Sequence, residues 1–74
     1  MMAYDYNKLL GRIVEKVGTQ SELAKRMGLS EHSISQKLNN KLGWKQDEIR
    51  RMAEILNIAS ADIPAYFFTE QVQN

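Results

Sequence analysis

Thr19-Gln20-Ser21-Glu22-Leu23-Ala24-Lys25-Arg26-Met27-Gly28-Leu29-Ser30-Glu31-His32-Ser33-Ile34-Ser35-Gln36-Lys37-Leu38 is the stretch on which the fold turns. Its first four residues spell a capping box, in which the threonine hydroxyl accepts the N3 amide and Glu22 reaches back. Leu23, Ala24 and Met27 line one face of the helix that follows, and Gly28 supplies a left-handed end. Only Leu29 separates Gly28 from Ser30, a good N-cap for a helix over about Glu31 to Leu38 that buries Ile34 and Leu38. Two short helices joined by Gly28-Leu29-Ser30 are connected too tightly for a hairpin. They cross steeply, with the small Ala24 where they touch, which is helix-turn-helix geometry.

The pattern continues on both sides. Tyr6, Leu10, Ile13, Val14 and Val17 recur at three- and four-residue spacing and predict an amphipathic helix from about Asp5 to Val17, with Asp5 as N-cap and Gly18 past its end. Gly11 inside that helix costs roughly 1 kcal/mol relative to alanine, which predicts a neighbour approaching closely there. Asn39-Asn40 stops the third helix, because asparagine tolerates the left-handed conformation. After the loop Lys41-Leu42-Gly43-Trp44, Ile49, Met52, Ala53 and Leu56 form an apolar stripe at i, i+3, i+4 and i+7, ended by Asn57. Ser60 then caps a short fifth helix that holds Pro64 in its first turn. Tyr66-Phe67-Phe68 supply an apolar anchor that either caps the core or joins a two-fold interface. No segment alternates like a strand, so the chain reads as all-α: one five-helix domain over residues 5–68 and a polar, frayed tail over 69–74. Leu10, Ile13, Val14, Val17, Leu23, Met27, Ile34, Leu38, Ile49, Met52, Ala53 and Leu56 are the expected core.

Composition narrows the function classes. Seventy-four residues make one small domain, and a chain this short buries only about 60% of its unfolded surface. There is no cysteine and one histidine, His32, so disulfides and thiolate or multi-histidine metal sites are excluded. No glycine-rich phosphate loop or nucleophile set is present, and Glu31 and His32, as helix neighbours, do not face each other. An enzyme is therefore not expected, nor a cofactor, a metal or a small-molecule ligand. No apolar run approaches the roughly 18 residues of a membrane span, and the start lacks the pattern of a signal peptide, so a cytoplasmic protein without membrane contact is expected. The formal charge is only +1.

Gln20 to Ala24, Ser30 and Ile34-Ser35 resemble the helix-turn-helix of the lambda-repressor-like (Cro/XRE type) family. The continuation through Lys37-Leu38-Asn39-Asn40-Lys41, Trp44, Glu48-Ile49 and Ile55 to Ile58, up to Tyr66-Phe67-Phe68, is similar to small Cro-like regulators of Gram-positive phages and prophages. Two positions depart from the family pattern: Asn40 stands where many members have glycine, and Lys37 where an apolar residue is usual. The resemblance implies a sequence-specific duplex operator as partner and a homodimer on it. It places Glu31, His32 and Gln36 at base edges, with Ser35 beside them on the outward face. The chemistry suits that task, since glutamine pairs with adenine, histidine donates to guanine and glutamate accepts from cytosine. Phosphate contacts fall to Gln20, at a helix N-terminus, and to Ser33, Asn39, Asn40, Lys41 and Lys45, because the loop after the third helix follows the backbone in this family. Lys8 and Arg12 are further candidates. Trp44 reads as a core residue closing the loop rather than as a stacking platform.

Charge is unevenly distributed: residues 1–19 balance at +1, residues 20–45 at +3 and residues 46–74 at −3. The positive part coincides with the two crossing helices. The expected function is a DNA-binding transcription regulator of repressor type that occupies an operator with its third helix in the major groove. The alternative is a helical protein-interaction module that has lost DNA binding.

Overall fold

The Thr19 hydroxyl accepts the Glu22 amide at 3.1 Å, and the Ser30 hydroxyl accepts the Ser33 amide at 3.0 Å. These two caps set the frame of the computed structural model, which describes residues 3–71. Five helices follow one another: α1 (Asn7–Lys16), α2 (Gln20–Met27), α3 (Glu31–Leu38), α4 (Gln46–Ile55) and α5 (Ile63–Phe67), the last preceded by a 3-10 turn at Ser60–Asp62. Gly28 ends α2 at φ 69, and its N–H and that of Leu29 return to carbonyls of the last turn. Gly18, at φ 107, does the same for α1. The second half of the predicted capping box is not used, since Glu22 pairs with Arg26 at 3.5 Å. No helix among the described residues is long and apolar enough to cross a membrane.

One core holds the helices together, with Leu9, Ile13, Leu23, Met27, Ile34, Met52, Leu56 and Phe67 all buried. The predicted face of α1 is rotated. Leu9 and Ile13, one turn apart, point inward with Tyr6, whereas Leu10 and Val17 are half-buried and Val14 is 67% exposed. Two apolar stripes run side by side on this helix, and periodicity alone does not choose between them. Gly11 corrects a second expectation: it is exposed, and a Cβ built on it meets nothing within 4 Å.

Side chains tie helix ends across the fold. Arg12 donates from Nε to the Leu56 carbonyl at 2.9 Å and from a terminal nitrogen to the Asn57 carbonyl at 2.8 Å. Arg51 donates to the Met27 carbonyl at 2.8 Å. In both cases a guanidinium satisfies carbonyls that a helix C-terminus leaves free. At the start of α1, Asp5 accepts the Asn7 amide at 2.8 Å, although the capping position itself is Tyr6. Ser60 makes no side-chain cap and instead begins the 3-10 turn. The aromatic anchor divides: Phe67 is buried edge-on to Trp44, with centroids 5.7 Å apart, while Phe68 stays 49% exposed.

The chain ends meet. Asp5 N–H donates to the Thr69 carbonyl at 2.7 Å and Gln71 N–H to the Ala3 carbonyl at 3.0 Å, making an antiparallel bridge between Tyr4 and Glu70. The first three residues of the expected tail are thus paired, and 72–74 lie outside the described residues.

Candidate functional site

α3 begins at the Ser30 cap and turns Ile34 and Leu38 into the core. The opposite face follows from the helical period. It carries Glu31 and His32, both exposed, and Ser35 and Gln36, both half-buried. These four are the expected base-reading residues, and the helix brings them together on one surface.

The expected phosphate ligands separate into two groups. Gln20, Lys41 and Lys45 make no side-chain hydrogen bond or ion pair among the described residues, and both lysines are exposed. Ser33 is engaged with its own cap, the two hydroxyl oxygens lying 3.0 Å apart. Asn39 donates to the Ser35 carbonyl at 2.8 Å. Asn40 is committed furthest: its amide accepts the Tyr4 N–H at 2.9 Å and donates to the Tyr4 carbonyl at 3.0 Å. Its φ of 61 explains why this position suits glycine or asparagine. Arg12 is occupied at the end of α4, and Lys8 sits over the Tyr66 ring at 4.8 Å.

Lys37 behaves unlike any other lysine of the chain. Its ammonium is buried, 3.0 Å from the Glu48 carboxylate and 3.1 Å from the Gly43 carbonyl, to which it donates. It also lies 5.7 Å from the centre of the Trp44 ring. Glu48, on the first turn of α4, accepts the Lys45 amide at 2.8 Å. Burial alone would raise the Glu48 carboxyl. The Lys45 amide and the Lys37 ammonium outweigh that and hold it below its ordinary value. This buried pair fastens the C-terminal end of α3 to α4 and fixes the loop that presents Lys41 and Lys45. Nothing local in the sequence announces it, although Lys37 falls one residue before Leu38 on the inward side of α3, where a charged side chain needs a partner.

The surface around α3 therefore carries fewer free cations than the sequence count suggests. Lys37 is neutralised inside, Arg26 is paired with Glu22, and Glu31 stands among the outward residues. No group of three or more histidine, cysteine, aspartate or glutamate side chains is placed to hold a metal among the described residues.

Comparison with known proteins agrees along nearly the whole chain. The DUF739 family, described as proteins of unknown function, matches residues 2–70. The solution structure of the modulator of repression (MOR) of the temperate bacteriophage TP901-1 from Lactococcus lactis is similar, with a TM-score of 0.79. That protein is 51% identical to this chain, and the match covers 95% of each. No curated protein matches the chain.

Proposed function

The chain belongs to the DUF739 family, and on that premise we propose that it modulates repression in a phage genetic switch by contact with another regulatory protein. The observation that carries this reading is the 51% identity, over 95% of both chains, to a protein that is itself a modulator of repression. Repression can be modulated through the repressor or through the operator, and electrostatics favour the first route. Of the five lysines and arginines between residues 20 and 45, Lys25, Lys41 and Lys45 stay exposed without an ion pair among the described residues. A duplex ligand whose phosphates meet these three has a salt slope of only about −3 and modest sequence-independent affinity. A protein surface needs no such excess of positive charge.

The test is a phage promoter silenced by its own repressor and fused to a reporter, with this chain co-expressed. A change in reporter output that needs both the chain and the repressor supports protein contact. Unchanged output excludes it.

One observation favours a second reading, operator binding in the manner of the Cro/XRE family. Glu31, His32 and Gln36 lie together on the outward face of a helix that starts at a formed Ser30 cap. On that reading a homodimer addresses half-sites about 34–36 Å apart. Gln36→Ala then costs roughly 1–3 kcal/mol on the cognate duplex, and Lys45→Ala flattens the salt slope by about one unit.

A further inference from the structure

Five of the six aromatic side chains of the chain converge on one pocket between the chain start, the α3–α4 loop and α5: Tyr4, Tyr6, Trp44, Phe67 and Phe68. It holds about 320 Å³, room for one or two side chains, at the lower end of the roughly 300–1,000 Å³ of ligand sites. Its walls are tied in place. Lys37 holds the Gly43 carbonyl at 3.1 Å, Asn40 holds both backbone groups of Tyr4, and Trp44 stands edge-on to Phe67. Tyr4 stands edge-on to Phe68 in turn, with centroids 6.1 Å apart. A pocket fixed this way loses little freedom when it is filled. Of the three large apolar side chains left exposed among the described residues, two, Leu42 and Phe68, line it.

Polar groups of the pocket select the occupant. The Trp44 indole N–H is buried with no hydrogen-bond partner among the described residues. Burial, with Tyr4 beside it, raises the Tyr6 pKa and the indole N–H lowers it, so the two groups sense each other without meeting in hydrogen-bond geometry. Lys41 is the one charged side chain of the lining among the described residues, and it is exposed. No carboxylate lines the pocket. Asp5 accepts the Asn7 amide, Glu48 is taken by Lys37, and Glu70, opposite Tyr4 in the terminal bridge, lies outside the lining. An unsatisfied donor and a free cation with no acid between them fit a negatively charged acceptor, and N–H bonds to a carboxylate are the stronger kind. The rings themselves favour another ring, which they can meet edge-on as they meet each other.

We infer that this pocket receives an aromatic side chain of a partner protein flanked by a carboxylate, the ring entering among Tyr6, Trp44 and Phe67 and the carboxylate answering the Trp44 N–H and Lys41. The inference rests on the reading of the chain as a protein-contact modulator and deepens it by naming the surface. A protein segment is the occupant rather than a free molecule because Leu42 and Phe68, each 49% exposed, carry apolar surface out to solvent, where a ligand small enough for the cavity leaves them uncovered.

The probe is the capped tripeptide glutamate-phenylalanine-glutamate, titrated into the full chain labelled with 15N. Beside it run lysine-phenylalanine-lysine, glutamate-alanine-glutamate and phenylacetate. Trp44 is the sole tryptophan, so the chain has a single indole N–H signal. The first peptide is expected to move that signal and the amides of Leu42 and Gly43, and to leave Glu31, His32 and Gln36 in place. Lys41→Glu, an exposed change outside the core, should weaken its binding by about tenfold. Trp44→Phe keeps a ring in the pocket and removes the N–H, and should weaken binding by about fivefold, read at the Leu42 and Gly43 amides. An unmoved indole signal, shifts centred on α3, or equal binding of the lysine or the alanine peptide would each overturn the assignment. Phenylacetate binding as tightly as the first peptide would make the ligand a free aromatic acid and overturn the choice of a protein segment. No repressor enters this titration, so its failure leaves the promoter assay standing, and failure of the promoter assay leaves the pocket's preference measurable.

Discussion

The Lys37 ammonium and the Glu48 carboxylate lie 3.0 Å apart with their side chains 7% and 5% exposed, joining α3 to α4 inside the molecule. Removing one partner leaves the other charge buried and uncompensated, which costs about 3–5 kcal/mol. A domain this small has a total stability of only about 5 kcal/mol. Lys37→Ala and Glu48→Ala should therefore each bring the chain close to unfolding in urea, followed by the fluorescence of Trp44, the sole tryptophan. The double change Lys37→Met with Glu48→Leu should recover most of the loss, short of about 1 kcal/mol for the lost bond to the Lys45 amide. A double variant as unstable as either single one would show that the pair is more than a compensated burial.

Acid should act through the same carboxylate. Glu48 is held below its ordinary value of 4.5, so the folded state binds its proton less readily than the unfolded chain does. Its contribution is fully present above about pH 4.5 and is lost as pH falls through the lower, folded value. Urea midpoints measured from neutral pH downward should decline across that window. The decline should be shallower in Glu48→Gln, and a parallel decline in both proteins would assign acid sensitivity elsewhere.

Gly11 offers the opposite kind of change. Open space surrounds it on an exposed helix face, so Gly11→Ala should raise stability by up to about 1 kcal/mol through helix propensity alone. Thermal melting decides the sign.

Asn40 joins the end of α3 to the chain termini through Tyr4. Asn40→Gly keeps the left-handed backbone and loses the two bonds, at a cost of about 1–2 kcal/mol. Asn40→Ala loses both and adds about 1–2 kcal/mol of backbone strain at φ 61. Hydrogen exchange at the Tyr4 amide should quicken in both variants, and the stability order should be asparagine, then glycine, then alanine.

The helices were legible because local signals agreed: Thr19, Ser30 and Gly28 bound α2 and α3 where their chemistry requires. Contacts between residues far apart in the chain were not legible. Nothing in the spacing of Arg12 announces that it serves the end of α4, and nothing local pairs Lys37 with Glu48 or Asn40 with Tyr4. On α1 two apolar stripes compete, and only packing against the other helices selects Leu9 over Val14. The outward face of α3, by contrast, could be read from helical period.

Contact with protein rather than DNA is tested most directly by selecting random duplexes on the purified chain at about 150 mM salt, where non-specific phosphate binding is weak. No enriched motif is expected. Enrichment of a two-fold motif with half-sites about 34–36 Å apart would contradict protein contact as the mode of action.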